Sequence, residues 1–403
     1  MKKNTFVLIF VMGVMVALGI LNLAILSHSI SEARLAKKNL ELTQAFWLAE
    51  AGVQKALYSI NNDDWDGWGG NLTDKNISIT LSGSGGEYFV TVNGIGSSNI
   101  NITSKGAIPS IGAVNKIERE IVVSASTKSK FLSAIFGETS VTLSGNAHTD
   151  SYDSNRGAYG GSNKASNGDV GTSAGTAGAI SLSGNAIIDD NATTGPSGTV
   201  VLSGNAKVTG TIDDTNNTKL ETVTVPSSLS ELSSSGSINV SGNNSKTLSS
   251  GNYKYSSISV SGNGCLTISG DTNIYLTSSS ALSVTGNAKL VITGKVKIYT
   301  DGNLIISGNG IVNNTQLPQN LLVYGTSSSK SIQISGNGDF YGAVYAPDAT
   351  ISVSGNGEVY GSLVGDTVSM SGNGGLHYDE ALSSLADANS YSLDSWKESH
   401  NIY

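Results

Sequence analysis

One cysteine in 403 residues, Cys265, leaves no internal partner and excludes a disulfide framework. Basic residues are also scarce: 23 Lys and Arg stand against 31 Asp and Glu, for a formal net charge of −8. No clustered basic face is visible, which argues against a nucleic-acid partner. The four histidines, His28, His148, His377 and His400, are scattered along the chain. Neither zinc-ligand spacing nor the order of a catalytic triad is visible, so no metal and no cofactor is expected. Aromatics make up 6% and charged residues 13%, with five prolines beside 49 glycines. That composition is turn-rich and low in charge, neither collagen-like nor disordered.

The one long hydrophobic run is N-terminal. Phe6 to Leu26 carries a single polar side chain, Asn22, after Lys2 and Lys3. At about 1.5 Å per residue it spans a hydrocarbon core of roughly 30 Å, so a retained transmembrane anchor is expected. The two lysines place the N-terminus in the cytoplasm and the bulk of the chain outside it, in the periplasm or beyond. From Ser29 to about Ile60 there is no proline and one glycine, Gly52. Leu35, Leu42, Phe46, Ala49, Val53, Ala56, Leu57 and Ile60 fall at helical spacing, which predicts one long helix ended by Asn61, Asn62, Asp63 and Asp64.

The C-terminal two-thirds repeats one phrase ten times: apolar, any, apolar, Ser or Thr, Gly, Asn, small. The copies centre on Asn146, Asn185, Asn205, Asn243, Asn263, Asn287, Asn309, Asn337, Asn356 and Asn373. Apolar residues three and five before each Asn alternate as in a strand with one buried face, and Gly-Asn makes a tight corner. A unit of about 20 residues cannot bury its own face, so stacking into a parallel β-helix is predicted, with the asparagines forming a coil-to-coil ladder.

The expected class is therefore mainly β. Residues 1–60 form the membrane and amphipathic helix, and 61–130 a small antiparallel sheet resting on Phe46, Val53 and Leu57. Residues 131–378 form the β-helix, in which the two long gaps between motifs are either doubled turns or insertions, the latter placed near 147–179 and 207–238, and 379–403 form a C-terminal cap and tail. Trp65 and Trp68 read as a loop folded onto the sheet rather than a sugar-stacking pair. Asp150 and Asp153 in the first insertion lack the spacing of a calcium loop.

An enzyme would need carboxylates placed together in a cleft. Asp339 and Glu358 hold the same place in two copies, two residues after the Asn, and would stack if those coils are neighbours; an exposed, solvated face is the expected reading. No catalytic residues are expected.

The Ser31-Glu32-Ala33-Arg34-Leu35 stretch, followed by Gln44-Ala45-Phe46-Trp47-Leu48-Ala49-Glu50-Ala51-Gly52, resembles the N-terminal region of PilX-type minor pilins. The overall plan, an apolar half-helix running into an amphipathic half, is that of type IV pilins and type II secretion pseudopilins. Lys2-Lys3-Asn4-Thr5-Phe6 departs from it: prepilin peptidase sites have a glycine there, and the apolar run has no early Glu. Phe340-Tyr341-Gly342-Ala343-Val344-Tyr345-Ala346-Pro347, Val359-Tyr360-Gly361-Ser362-Leu363-Val364-Gly365 and His377-Tyr378-Asp379-Glu380-Ala381-Leu382 resemble an uncharacterised domain that follows such N-termini in bacterial surface proteins. The resemblance implies a bacterial inner-membrane protein linked to pilus or secretion machinery, with other pilins, assembly proteins or a surface glycan as partners. The competing readings are a self-assembling, bactofilin-like envelope scaffold and a polysaccharide-active β-helix enzyme.

Overall fold

The computed structural model describes residues 2–62, 65–71, 74–81, 85–95, 99–127, 129–308, 311–313, 315–385 and 391–399. Asn309, Asp63, Asp64 and His400 lie outside the described residues. The chain divides into two compact units, 1–126 with 391–403, and 127–390.

In the first unit a single helix runs from Lys2 to Asn62. Residues 8–40 are exposed all round, large apolar side chains included, and the helix is long and apolar enough to cross a membrane. Its last third buries Ala45, Leu48, Ala49, Val53, Ala56 and Ile60 against an antiparallel sheet. The buried stripe is thus rotated slightly from the expected floor: Val53 is buried, but Phe46 and Leu57 only half so. The cause is close packing, because small residues let helix and sheet touch. A Cβ on Gly106 would collide with the backbone at Ala45 and Ala49, and one on Gly52 with Ser104 and Val90. Trp65 and Trp68 pack edge to face at 5.3 Å onto this core, with Trp68 Nε1 donating to Ser59 Oγ at 3.1 Å.

The sheet runs in sequence order from Asp74–Leu81 through Gly86–Asn93 and Asn99–Ile108 to Ile117–Thr127, all antiparallel. Its last strand, Tyr391–Ser399, comes from the far end of the chain and lies beside Ile117–Thr127. Ser126 Oγ donates to Asp394 Oδ1 at 2.9 Å, and Arg119 Nε to Glu398 Oε1 at 2.6 Å. The C-terminal segment expected to cap the β-helix is therefore an edge strand of the N-terminal sheet, preceded by a short 3-10 turn at Glu380–Ser384.

The second unit is a parallel β-helix of ten layers: two of its ladders run through ten strands, and the ladder that follows the corner is divided into runs of six and four. Its layers are not stacked in chain order. The ladder carrying the corner motif reads 200–202, 180–182, 141–143, 368–372, 351–355, 332–336, 304–306, 282–284, 258–260 and 237–240. The first coil in sequence is the third layer, and the last coil in sequence lies directly against it: Met370 pairs with Leu143, and His377 with Asp150. The chain winds outward from there for two coils, then crosses to the opposite end and winds back.

Segment 214–236 makes that crossing. Nine steps of about 4.8 Å separate the end layers, roughly 43 Å, well within the reach of an extended chain of that length. Along the way Leu220, Val223, Val225, Leu229 and Leu232 cover a second apolar core on the outside of the β-helix, with Phe136, Tyr299, Tyr324 and Tyr345. The gap expected as an insertion at 207–238 is thus two regular strands, Lys207–Val208 and Ile212–Asp213, followed by this crossover. The first gap also shrinks: His148–Tyr152 and Val170–Thr172 belong to the ladders, which leaves residues 153–169 as the excursion.

The ends of the stack differ. At one end Leu202 and Ile212 occupy interior positions, yet are 42% and 52% exposed because no layer covers them. At the other, Tyr253 and Tyr255 occupy interior positions opposite Ile274 and Leu276, stack with ring centroids 5.8 Å apart, and fill the opening. Tyr253 OH donates to Ser249 O at 3.1 Å.

The corners show why glycine recurs. Each corner glycine has positive φ, and a Cβ on it would meet the backbone of the corner glycine in the next layer. Gly242, in the end layer, has no such neighbour: nothing lies within 4 Å of its Cβ position, though its φ is +64°. Gly355→Ala, at φ +113° with Gly336 N at 2.9 Å from the new carbon and Gly336 O closer still, is expected to cost about 3 kcal/mol or more, whereas Gly242→Ala costs about 1 kcal/mol. Thermal unfolding of the two variants, followed by circular dichroism, checks this; equal losses would mean that stacking is not what selects the glycine.

Candidate functional site

The asparagine corners form hydrogen-bonded runs. Asn205 Nδ2 donates to Asn185 Oδ1 at 3.0 Å, Asn185 to Asn146 at 2.8 Å, Asn146 to Asn373 at 2.7 Å and Asn373 to Asn356 at 2.8 Å. Asn356 donates to Asn337 at 3.1 Å and Asn263 to Asn243 at 2.9 Å. Asn287 holds the corresponding corner position. Within a run each amide donates one N–H to one neighbour and accepts from the other, so the ladder ties layer to layer.

Chemistry gathers instead on the next ladder, where the first coil meets the last two. Parallel register places Tyr341, Tyr360, His377 and Asp150 in one column, and Glu358, His148 and Gly375 beside it. Tyr341 and Tyr360 stack with centroids 4.3 Å apart, Tyr360 lies 4.8 Å from the His377 ring, and Tyr159 from the 153–169 excursion closes over that ring at 3.8 Å. Asp150 and His377 are thereby buried, at 1% and 3% exposure. Two histidines that are far apart in sequence are in fact neighbours, with His148 and His377 ring centroids 5.6 Å apart. His148, Asp150 and His377 each offer a ligand atom within 4.8 Å of the others.

Both oxygens of Asp150 are engaged. Oδ1 meets His377 Nδ1 at 2.5 Å, and Oδ2 accepts from Tyr159 OH at 2.5 Å and from Lys164 Nζ at 2.8 Å. Burial pushes the Asp150 carboxyl up, but the bonds from His377, Lys164 and Tyr159 together outweigh it and hold the group below its ordinary range. Burial, and then the bond to Asp150, pushes the Tyr159 phenol up to about 12. The Lys164 ammonium is held above its ordinary value by its bonds to Asp150 and Tyr159.

Beyond His377, its Nε2 faces Glu358 Oε2 at 3.4 Å. That oxygen also accepts from Gly375 N, while Glu358 N donates to Asp339 Oδ1 at 3.1 Å. Asp339 and Glu358 are thus in adjacent layers as their matching positions suggest, but they are not an open carboxylate pair: Glu358 turns toward the histidines.

Two residues further along the strand that carries His377 lies a second buried carboxylate, Asp379, at 0% exposure. Its Oδ1 accepts from Ser154 N at 2.9 Å and Ala381 N at 3.2 Å, while Oδ2 and the nearby Tyr152 OH meet no hydrogen-bond partner among the described residues. Burial raises the Asp379 pKa against those bonds. A carboxyl whose folded pKa is raised is stabilising relative to its unfolded form only while protonated, so its cost appears as pH rises through the window above about 4.

The outer face of the third ladder holds a cavity of about 620 Å³ roofed by the crossover near 215–221. Phe136 and Tyr345 line it together with Asp169, Asn191, Asp213 and Lys219.

Residues 189–385 match a family model described as a domain of unknown function (DUF7305). No curated protein matches the chain. Among solved structures, the competence-associated pilin ComZ from Thermus thermophilus matches with 11% identity, over 89% of this chain and 98% of that one, at a TM-score of 0.22. A superposition that loose carries no argument about fold or function.

Asp379→Asn keeps the acceptor for Ser154 N and Ala381 N while removing the buried charge. It is expected to raise the melting temperature at pH 7, with the advantage shrinking to nothing near pH 3.5, below the unfolded pKa. A melting-temperature series from pH 3.5 to 8 measures it; a variant no more stable than the wild type at pH 7 would show that the carboxylate is not a cost.

Proposed function

We propose that the chain is a membrane-anchored, minor-pilin-like subunit that displays a β-helix outside the bacterial cytoplasmic membrane, in the periplasm or at the cell surface, and that serves type IV pilus assembly, secretion or adhesion. One observation carries this reading. A single helix leaves residues 8–40 bare, with Leu8, Phe10 and Leu23 61%, 66% and 68% exposed, and then buries a stripe of small residues against an antiparallel sheet. Apolar side chains on every side of a helix need lipid or neighbouring helices around them. A lipid anchor in storage that packs helix to helix within an assembly satisfies both, and other pilins or assembly proteins are the matching partners. A surface or glycan ligand for the β-helix would meet the cavity near Asp169 and Asp213, where carboxylates stand beside Phe136 and Tyr345.

The scaffold reading has one observation in its favour, the uncovered layer at Leu202 and Ile212. A filament needs two such ends, and Tyr253 with Tyr255 fills the other, so end pairing stops at two molecules. The protein is read as non-enzymatic, since Asp339 and Glu358 do not form an open carboxylate pair: Glu358 N donates to Asp339 Oδ1 while its carboxylate turns away.

Deleting Phe6 to Leu26 is expected to move the protein from the membrane pellet to the soluble fraction with its β-rich circular dichroism intact. Retention in the membrane pellet would sink the anchor. Reducing-end release from a panel of polysaccharides, lost in Asp339→Asn, would overturn the non-enzymatic reading.

A further inference from the structure

We propose that His377, His148 and Glu358 form a binding site for one divalent transition-metal ion of the zinc type, located where the first and last coils of the β-helix meet. Imidazole nitrogen and carboxylate oxygen together are the donor set that Zn²⁺ takes, and two imidazoles disfavour Ca²⁺ and Mg²⁺, which prefer all-oxygen shells. Ligands at about 2.1 Å on a tetrahedral ion stand about 3.4 Å apart. His377 Nε2 and Glu358 Oε2 are separated by 3.4 Å.

The third ligand is in reach. The His148 ring lies over Gly375, where a Cβ would collide with its Nε2 and come within 3.0 Å of Glu358 Oε2. Glycine at that position leaves the space between the two ligands open. The His148 side chain makes no hydrogen bond or ion pair among the described residues, so an imidazole nitrogen is available for coordination.

Asp150 plays a different part. Its Oδ1 takes the Nδ1 side of His377 and its Oδ2 is occupied by Tyr159 and Lys164. A carboxylate on Nδ1 fixes the tautomer that presents a lone pair at Nε2 and raises its basicity, the arrangement that orients metal-ligating histidines. The rings of Tyr159 and Tyr360 hold the imidazole plane from the sides. Asp150 is therefore a positioning residue and the other three are the ligands.

The consequence is structural. His148 comes from the first coil, and Glu358 and His377 from the last two, so an ion bound to all three ties together segments about 210 to 230 residues apart. Binding free energy at such a site adds to folding stability.

The test uses the full-length chain in detergent, stripped with chelator and titrated with Zn²⁺. One equivalent is expected to bind saturably, and at roughly a hundredfold excess over Kd to raise the melting temperature by about 5 °C, with Ca²⁺ and Mg²⁺ giving no shift. Cobalt(II) in the same site should show the visible absorption of tetrahedral coordination. His148→Ala removes a half-buried side chain that makes no hydrogen bond or ion pair among the described residues, so it is expected to fold, checked by its circular dichroism, and it should abolish the shift. Asp150→Asn should weaken binding about tenfold or more while leaving one equivalent at saturation. Gly375→Ala should block binding with all three ligands in place. Absence of saturable binding, an equal shift with Ca²⁺, or undiminished binding in His148→Ala would each overturn the site.

Discussion

The β-helix begins and ends at neighbouring strands of another sheet, so its two ends have to come together. Ser126 leaves that sheet hydrogen-bonded to Asp394, which returns to it, and inside the β-helix Ser129 Oγ donates to Leu382 O at 2.6 Å. A coil wound straight from first to last would separate those ends by about 43 Å. The chain meets the condition by starting in the third layer, running two coils outward, crossing the stack along 214–236 and winding back to close on itself. The crossover, its outer apolar core and the seam between first and last coils all follow from that single requirement.

The periodicity that predicts the architecture says nothing about this order. Apolar residues three and five before each Asn read correctly as interior positions, and Gly-Asn as the corner, because both are local consequences of strand alternation and positive φ. Layer order depends on where the two ends must go, which is a long-range matter. The stretches at 147–179 and 207–238 read as insertions because the corner motif is the one strong mark of a coil, and neither stretch carries it. Short strands such as Ile212–Asp213 carry too little pattern to announce themselves.

The histidine cluster was hidden for the same reason. Asp150, His377, Tyr360 and Tyr341 each lie four residues after a corner asparagine, and His148, Gly375, Glu358 and Asp339 two after. Those offsets place them in two columns as soon as the layers 337, 356, 373 and 146 are known to be consecutive. With Asn146 assigned to the beginning of the stack and Asn373 to its end, His148 and His377 stand at opposite extremes. The part played by Tyr159 was not legible at all: it reaches the column from an irregular excursion whose path no periodicity describes.

The polar seam also answers a question that the apolar interior leaves open. Ile, Val and Leu fill equivalent interior positions from layer to layer, so sliding the last coil by one layer would preserve most of its apolar contacts. Asp150 breaks that degeneracy. In the observed register its carboxylate is met by His377 from the last coil as well as by Tyr159 and Lys164 from the excursion of its own coil; one layer away the bond to His377 would be lost. Directional, charge-assisted bonds are thus placed at the one junction in the stack that joins coils from opposite ends of the sequence, where winding alone does not dictate which strand pairs with which.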